Sequence, residues 1–240
     1  IFVSKDQSEK YIKYCNVNKS KIIIKNNVLS PIFYFNMIRY PILKNKELSI
    51  IYCSNPQRGL ENFIYIYPIL KEKYLNLKLK IYSSLETYNL NDNEDVLEIY
   101  SKLSKINGVE INKCISQIDL REEMKKSLLF IYPSFVEETF CNCCIEAGSQ
   151  GCAIISTNIG AIKEVMNDYV DLVDVNVDNL NHPYYDIVNN KFIDDFVEKS
   201  SNIINKYLNN DLELEEKLKN QILYIKKKYN PSNYCNDLLN

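Results

Sequence analysis

Glycine is scarce in this chain of 240 residues; there are five, and none of them stand in a Gly-x-Gly-x-x-Gly order. That order supplies the tight turn and the close backbone approach on which a dinucleotide pyrophosphate rests, so a Rossmann-type oxidoreductase is excluded. Histidine is scarcer still, with His182 alone. A structural zinc site wants two spaced Cys or His pairs. Of the eight cysteines, Cys15, Cys53, Cys114, Cys152 and Cys235 are scattered, and only Cys141, Cys143 and Cys144 cluster. They read as reduced, buried or half-buried thiols of a reducing compartment, and no metal site is expected. The same shortage leaves Ser134 without a histidine partner, so it is not a candidate nucleophile. Asp174-x-Asn176-x-Asp178 has the opening of a calcium loop but carries Asn179 and Tyr185 where that loop needs Gly and Glu.

Long apolar runs are missing as well. No stretch approaches 18 residues and no secretory leader is visible. The first residue is Ile1 rather than Met, inside a strand-like IFVS, so an upstream segment is expected. Net charge is -2 with the basic residues spread, and of 29 basic residues only Arg39, Arg58 and Arg121 are arginines. That balance argues against nucleic acid as a partner.

What is present is a core. Apolar residues make up 46% of the chain, enough for one large domain or two small ones rather than disorder. The chain is organised around Leu128 to Glu164, where an apolar run to Tyr132 stops at Pro133-Ser134. A loop with Glu137 and Glu138, a helix holding Glu146 and Ala147, Gly151 as left-handed cap, and a second apolar run from Cys152 to Ile155 follow. Strand, loop, helix, strand is the unit of a parallel α/β sheet, and ligands of such sheets sit at the carboxyl ends of the strands. Glu138 and Glu146 both fall there.

The flanking elements agree with this reading. Strands are expected at IFVS, Lys21–Ile24, Leu48–Cys53, Leu77–Tyr82, Val109–Ile115 and Tyr169–Val175. Helices are expected over Asp6–Cys15, Leu60–Tyr74 with a break or kink at Pro68, Asp95–Ile106, Ser116–Lys126, Asn190–Tyr207 and Leu212–Tyr229. Asp119 is expected as the N-cap of the Ser116–Lys126 segment, with Glu122 completing a capping box. Ser54 to Gly59 reads as a turn-rich loop, and His182-Pro183 and Tyr184-Tyr185 as another.

The order Pro133-Ser134-x-x-x-Glu138-x-Phe140, five residues, Glu146-Ala147, then Gly151, a strand and Asn158-x-Gly160-Ala161-x-x-Glu164 resembles the retaining GT-B glycosyltransferases of family 4. The similarity runs from about Leu48 to Val173, with weaker traces on both sides. It implies an α/β fold with a Rossmann-like parallel sheet flanked by helices, the C-terminal half of a GT-B enzyme. Residues 44–240 would be the nucleotide-sugar-binding domain, and residues 1–43 a remnant of the N-terminal, acceptor-side domain with the interdomain linker.

The resemblance also implies roles. Arg58 stands at the family's basic residue and meets the diphosphate, with Gly59 as the following glycine and Ser54 or Asn55 in the same loop. Thr139, Phe140 and Cys141 lie where a helix opening offers N–H groups to an anion. Glu138 touches a hexose hydroxyl, and Glu146 accepts from the ribose hydroxyls, a task suited to an acceptor-only carboxylate. Gly160 lies in the turn that passes the donor sugar, and Glu164 supports that turn. Glu137 is left as surface. Catalytic roles fall to Glu138 and Arg58.

This chain departs from the family at three places: Cys53 replaces a second arginine, and Thr139 and Cys141 replace glycines. The implied function of the full-length parent is transfer of a hexose, most commonly from a UDP-sugar, to an unidentified glycan, lipid or protein acceptor. Anomeric configuration is retained and no metal is needed. The chain alone is expected to bind donor and to turn over poorly or not at all, for want of its N-terminal domain. A cytoplasmic setting is expected, peripheral membrane association being left open. The alternative is a degenerate nucleotide-binding or scaffold module.

Overall fold

The computed structural model describes residues 1–36, 38–175 and 190–232. The His182-Pro183 and Tyr184-Tyr185 loop, most of the stretch weighed as a calcium loop, and Cys235 lie outside the described residues.

The core is one parallel sheet. Among the described residues its strands are β1 (Glu47–Tyr52), β2 (Lys78–Ile81), β3 (Val109–Ile111), β4 (Ser127–Tyr132), β5 (Ala153–Thr157) and β6 (Val170–Val173), in spatial order β3-β2-β1-β4-β5-β6. Every pairing is parallel, with Ile50 opposite Leu129, and Leu129 opposite Ala153. β4 is buried along its whole length, as a central strand covered on both faces must be. The chain builds outward from β1 to β3, then returns past β1 to place β4 at its other side. The crevice at the carboxyl ends of β1 and β4 is therefore the switch point of a doubly wound sheet.

Helices cover both faces. α3 (Phe63–Lys73) follows β1, α4 (Glu94–Leu103) follows β2, α5 (Gln117–Lys126) precedes β4, α6 (Asn142–Ser149) joins β4 to β5 and the short α7 (Ile162–Met166) joins β5 to β6. α8 (Asn190–Leu208) packs on α3, and α9 (Leu212–Lys228) packs on α6. In α3, Phe63, Ile66, Tyr67 and Leu70 are buried at the spacing of a helix face. The helix runs through Pro68 rather than ending there. Pro68 lies inside the helix, where its missing N–H removes one bond from the ladder, and the buried face on either side of it carries the helix through.

Several expectations are corrected at the ends of elements. IFVS and Lys21–Ile24 form no strands; they meet in a single parallel bridge between Phe2 and Ile24, and Lys19–Lys21 is a 3-10 turn. Val109–Ile115 is a strand only to Ile111. The N-cap of α5 is Ser116, not Asp119: its hydroxyl accepts from Asp119 N–H, and Glu122 instead pairs with Arg121 and Lys125. Asp119 in the first turn then supports the helix as a charge rather than as a cap.

The first 36 residues lie against the sheet's periphery. α1 (Lys5–Cys15) begins where the Glu164 carboxylate accepts from the Lys5 and Asp6 N–H groups at 2.8 and 2.9 Å. Glu164 thus completes the opening of a helix nearly the whole domain away in sequence. Leu29 and Phe33, the latter in α2 (Pro31–Tyr34), are fully buried in the common core. No helix among the described residues is long and apolar enough to cross a membrane.

Candidate functional site

Two loops meet at the switch point. The first leaves β1 and carries Ser54, Arg58 and Gly59; the second leaves β4 and carries Pro133, Ser134 and Glu138. Gly59 sits at φ +86, and a Cβ there would run into the Pro133 carbonyl. Only glycine lets the loops touch at that point. Asn62 donates to the same carbonyl at 2.7 Å, and the Tyr52 hydroxyl, at the end of β1, donates to the Asn55 and Arg58 carbonyls at 2.8 and 3.1 Å. The Arg58 loop is thereby held from below by a buried phenol.

Arg58 reaches across and pairs with Glu138 through Nη1 and Oε1. The same carboxylate oxygen accepts from the buried Tyr132 hydroxyl at 2.6 Å. Tyr132 is the last residue of β4 and stacks between Tyr52 and Phe130. Burial pushes its phenol pKa well up, so it stays a donor at any physiological pH. Tyr132 is the site residue that the sequence reading missed. Its only signal was a polar-tipped aromatic at the carboxyl end of an otherwise apolar strand.

Gly160 closes the cradle from the β5 side. At φ +66 it bridges to Glu138, and a Cβ would strike the Glu138 carbonyl oxygen and sit 2.7 Å from its nitrogen. Ala161 N–H donates to the Glu138 carbonyl at 2.8 Å. The close approach that Gly160 permits in this structure is therefore to the Glu138 backbone. The turn at Asn158–Ala161 sets Glu138 in place.

The opening of α6 supplies the third wall. Its N-cap is Cys141, at φ 63 and ψ 76, with no side-chain cap. A β-carbon in this left-handed region costs about 1–2 kcal/mol, so a cysteine keeps a backbone shape that glycine would adopt freely. Thr139, exposed, has no such geometry. The Phe140 ring is buried edge-on against Tyr229, so it anchors the loop in the core and leaves only backbone to face a ligand. Cys53 is also buried, with its thiol pKa raised first by desolvation; it offers nothing in place of an arginine.

Glu146, one turn inside α6, is half-buried, and its carboxylate has neither a hydrogen bond nor an ion pair among the described residues. Desolvation alone pushes its carboxyl pKa up to about 7. The Cys143 thiol, raised chiefly by burial, lies in the fields of both the Glu146 carboxylate and the Arg58 guanidinium, which ties the two to one locality. Glu137 points elsewhere and pairs with Lys10 of α1 at 3.1 Å. Thus Arg58, Gly59, Ser54, Glu138 and Gly160 converge, Cys141 and Glu146 stand beside them, and the side chain of Phe140 does not take part. Among the described residues no group of His, Cys, Asp and Glu has the geometry to hold a metal ion.

A family model described as glycosyl transferases group 1 matches residues 41–223. None of the curated proteins matches the sequence. The fold is similar to several crystal structures. Against Anabaena HepE in complex with UDP-glucose, the TM-score is 0.66 at 14% identity over 95% of this chain and 58% of that one. Against the pneumococcal O-GlcNAc transferase GtfA with UDP and GlcNAc, it is 0.63 at 13% identity over 95% of this chain and 41% of that one. A glycosyltransferase from Rickettsia africae gives 0.55 at 18% identity over 95% and 63%. The chain spans less than two thirds of each of these proteins, and at such identities the likeness speaks for the fold.

Proposed function

The chain belongs to the glycosyl transferases group 1 family, and from that premise we propose that it is the nucleotide-sugar-binding half of a retaining hexosyltransferase of GT-B architecture. The single observation that carries the reading is Glu146: a half-buried carboxylate with no donor of its own among the described residues, one turn inside α6. A ribose diol brings two O–H donors, which is what an acceptor-only group at such a place lacks. Leaving it empty is costly, and a ligand that fills it gains the difference.

On this reading Arg58 turns from Glu138 to the departing diphosphate, where a guanidinium fork matches phosphate oxygens. Glu138, kept in place by Tyr132 and by the backbone of Gly160 and Ala161, takes a hexose hydroxyl as the anomeric bond to the diphosphate breaks and the bond to the acceptor oxygen forms on the same face. Ser54 and the N–H groups at the opening of α6 share the phosphate charge. The donor is a nucleoside-diphosphate hexose, with UDP the nucleotide present in the HepE and GtfA crystals, and the chemistry calls for no metal. The acceptor is a glycan, lipid or protein bound mainly by a further, N-terminal domain of the same polypeptide, for which residues 1–43 form the connection. The chain by itself binds donor and turns over poorly or not at all.

A second reading, a non-catalytic nucleotide-binding or scaffold module, is favoured by the buried Cys53 and the left-handed Cys141. Calorimetric titration with UDP, GDP, ADP and their hexose conjugates separates the two. The expected result is binding of one nucleotide, weakened by about tenfold or more in both R58A and E146A. Absence of binding to the folded chain and to its longer parent alike would favour the scaffold.

A further inference from the structure

The opposite end of the sheet carries a pocket that the donor chemistry does not use. It has a volume of about 280 Å³ and opens before β1 and β4, between the segment leading into β1 and the last turn of α5. Arg39, Lys46, Lys125 and Lys126 line it, with Glu122 as the one carboxylate, and Ile38 and Ile42 form an apolar wall.

The charges do not balance. Lys125 pairs with Glu122 at 3.1 Å, and Lys126 with Glu123 at 2.7 Å. Arg39 makes no side-chain hydrogen bond or ion pair among the described residues, and it is exposed at the pocket. Lys46 is only 7% exposed, and its ammonium donates to the Met124 and Gln150 carbonyls at 3.2 and 2.9 Å. An ammonium has three donors, so one remains. Among the described residues no carboxylate pairs with it; Glu215 is spent on the Ile42 and Leu43 N–H groups and does not line the pocket. Lys226, donating to the Asn36 carbonyl, adds a further positive charge beside Lys125.

Elsewhere the same chain balances a buried lysine. Lys80, 5% exposed, sits between the Glu47 and Glu123 carboxylates at 2.9 and 3.0 Å. Burial depresses the Lys46 pKa, whereas the two carboxylates outweigh burial and raise that of Lys80. A buried cation without a carboxylate partner, opening onto a cationic pocket, is complementary to an anion.

We propose that this pocket is a binding site for a phosphate dianion borne on a small organic body, with Lys46 and Arg39 as its two uncompensated charge partners. Two unpaired cations match the charge of a phosphomonoester near neutral pH, and the isoleucine wall accepts the apolar part of its ester group. The site lies at the amino ends of the strands, across the sheet from the Arg58 loop, so its occupant is not the transferred sugar's nucleotide.

The test uses the chain as it stands, at fixed ionic strength, with inorganic phosphate and glycerol 3-phosphate as soluble probes and phosphatidic acid vesicles as the lipid arm. Binding is read by calorimetry and thermal shift, or by co-sedimentation. K46M keeps the side-chain volume, and R39A changes an exposed residue; both should fold, with melting temperatures no lower than the parent's. The expected result is binding that falls about tenfold or more in each variant and persists in R58A. Soluble probes bound in this way identify a free phosphate ester, and vesicles alone bound in this way identify a lipid headgroup on the same site. Binding unchanged in K46M, binding abolished instead by R58A, or no binding of any probe overturns the proposal.

Discussion

The two ends of the sheet differ in what they leave unpaired. At the carboxyl ends of the strands the orphan is an acid, Glu146; at the amino ends it is a base, Lys46. The rest of the molecule shows that neither is forced by the fold. Lys80 is buried as deeply as Lys46 and is neutralised twice over, and Glu138 is buried and served by both Arg58 and Tyr132. The chain gives Lys80 and Glu138 charge partners and leaves Glu146 and Lys46 without one among the described residues, and both proposed sites rest on that contrast. Backbone geometry separates the ends as well. The carboxyl end concentrates positive φ at Gly59, Cys141 and Gly160, where loops press on one another, while none of the residues lining the amino-end pocket has a positive φ.

The largest effect should come from disturbing that pressure. Gly160→Ala puts a methyl group against the Glu138 backbone at φ +66, and we expect a loss of about 3 kcal/mol or more, a fall in Tm of roughly 6–12 °C for a chain of this size. A shift below about 2 °C would mean that the loop yields freely and that Glu138 is not held by its neighbour.

The orphan acid comes next, and it can be addressed through pH. Because the folded-state pKa of Glu146 is raised to about 7, the protonated form favours the native state. That contribution is full below the ordinary carboxyl pKa and is lost as pH rises through 7. Glu146→Gln removes the penalty, so it should stabilise the unliganded protein by about 1–2 kcal/mol at pH 8 and by almost nothing at pH 4.5, as read from denaturant midpoints. A gain independent of pH would show that the carboxylate is not desolvated in solution.

The orphan base gives the mirror experiment. With its pKa lowered by burial, charged Lys46 opposes folding below that lowered value, and the opposition fades as pH climbs toward the ordinary lysine pKa. Lys46→Met should therefore stabilise by about 1 kcal/mol at pH 7 and by less at pH 10, in buffer free of phosphate. Destabilisation at pH 7 would show that its two carbonyl partners already satisfy it.

Cys141→Gly is the finest probe. Relief of the left-handed backbone, about 1 kcal/mol, is offset by loss of a buried thiol, and the net change should stay within about 0.5 kcal/mol. A large loss in thermal stability would assign the cysteine a packing role that outweighs its strain.

These sites were unequally legible in the sequence. The apolar run Leu128–Tyr132, the stop at Pro133 and the helix holding Glu146 follow from local pattern, and the β4–α6–β5 unit formed as those patterns require. IFVS failed as a strand because β-propensity needs a partner edge, and Phe2 found only Ile24. Ser116 took the cap from Asp119 because its hydroxyl, three residues back, reaches the orphan N–H first.

By itself, then, the sequence determined the order and type of the main elements, the parallel α/β class, and which residues carry carboxylate, guanidinium or free backbone into the loops. It did so because periodicity and turn chemistry act within a few residues. Only the tertiary structure decided that β4 lies beside β1, which joins Arg58 to Glu138 across 80 positions of sequence, that Tyr132 holds the carboxylate, and that Gly160 touches Glu138. It alone gathered Arg39, Lys46, Lys125 and Lys126 around one cavity. Contacts between distant segments depend on the order in which strands pair and on which charges that pairing buries together, and neither is written in any local stretch of the chain.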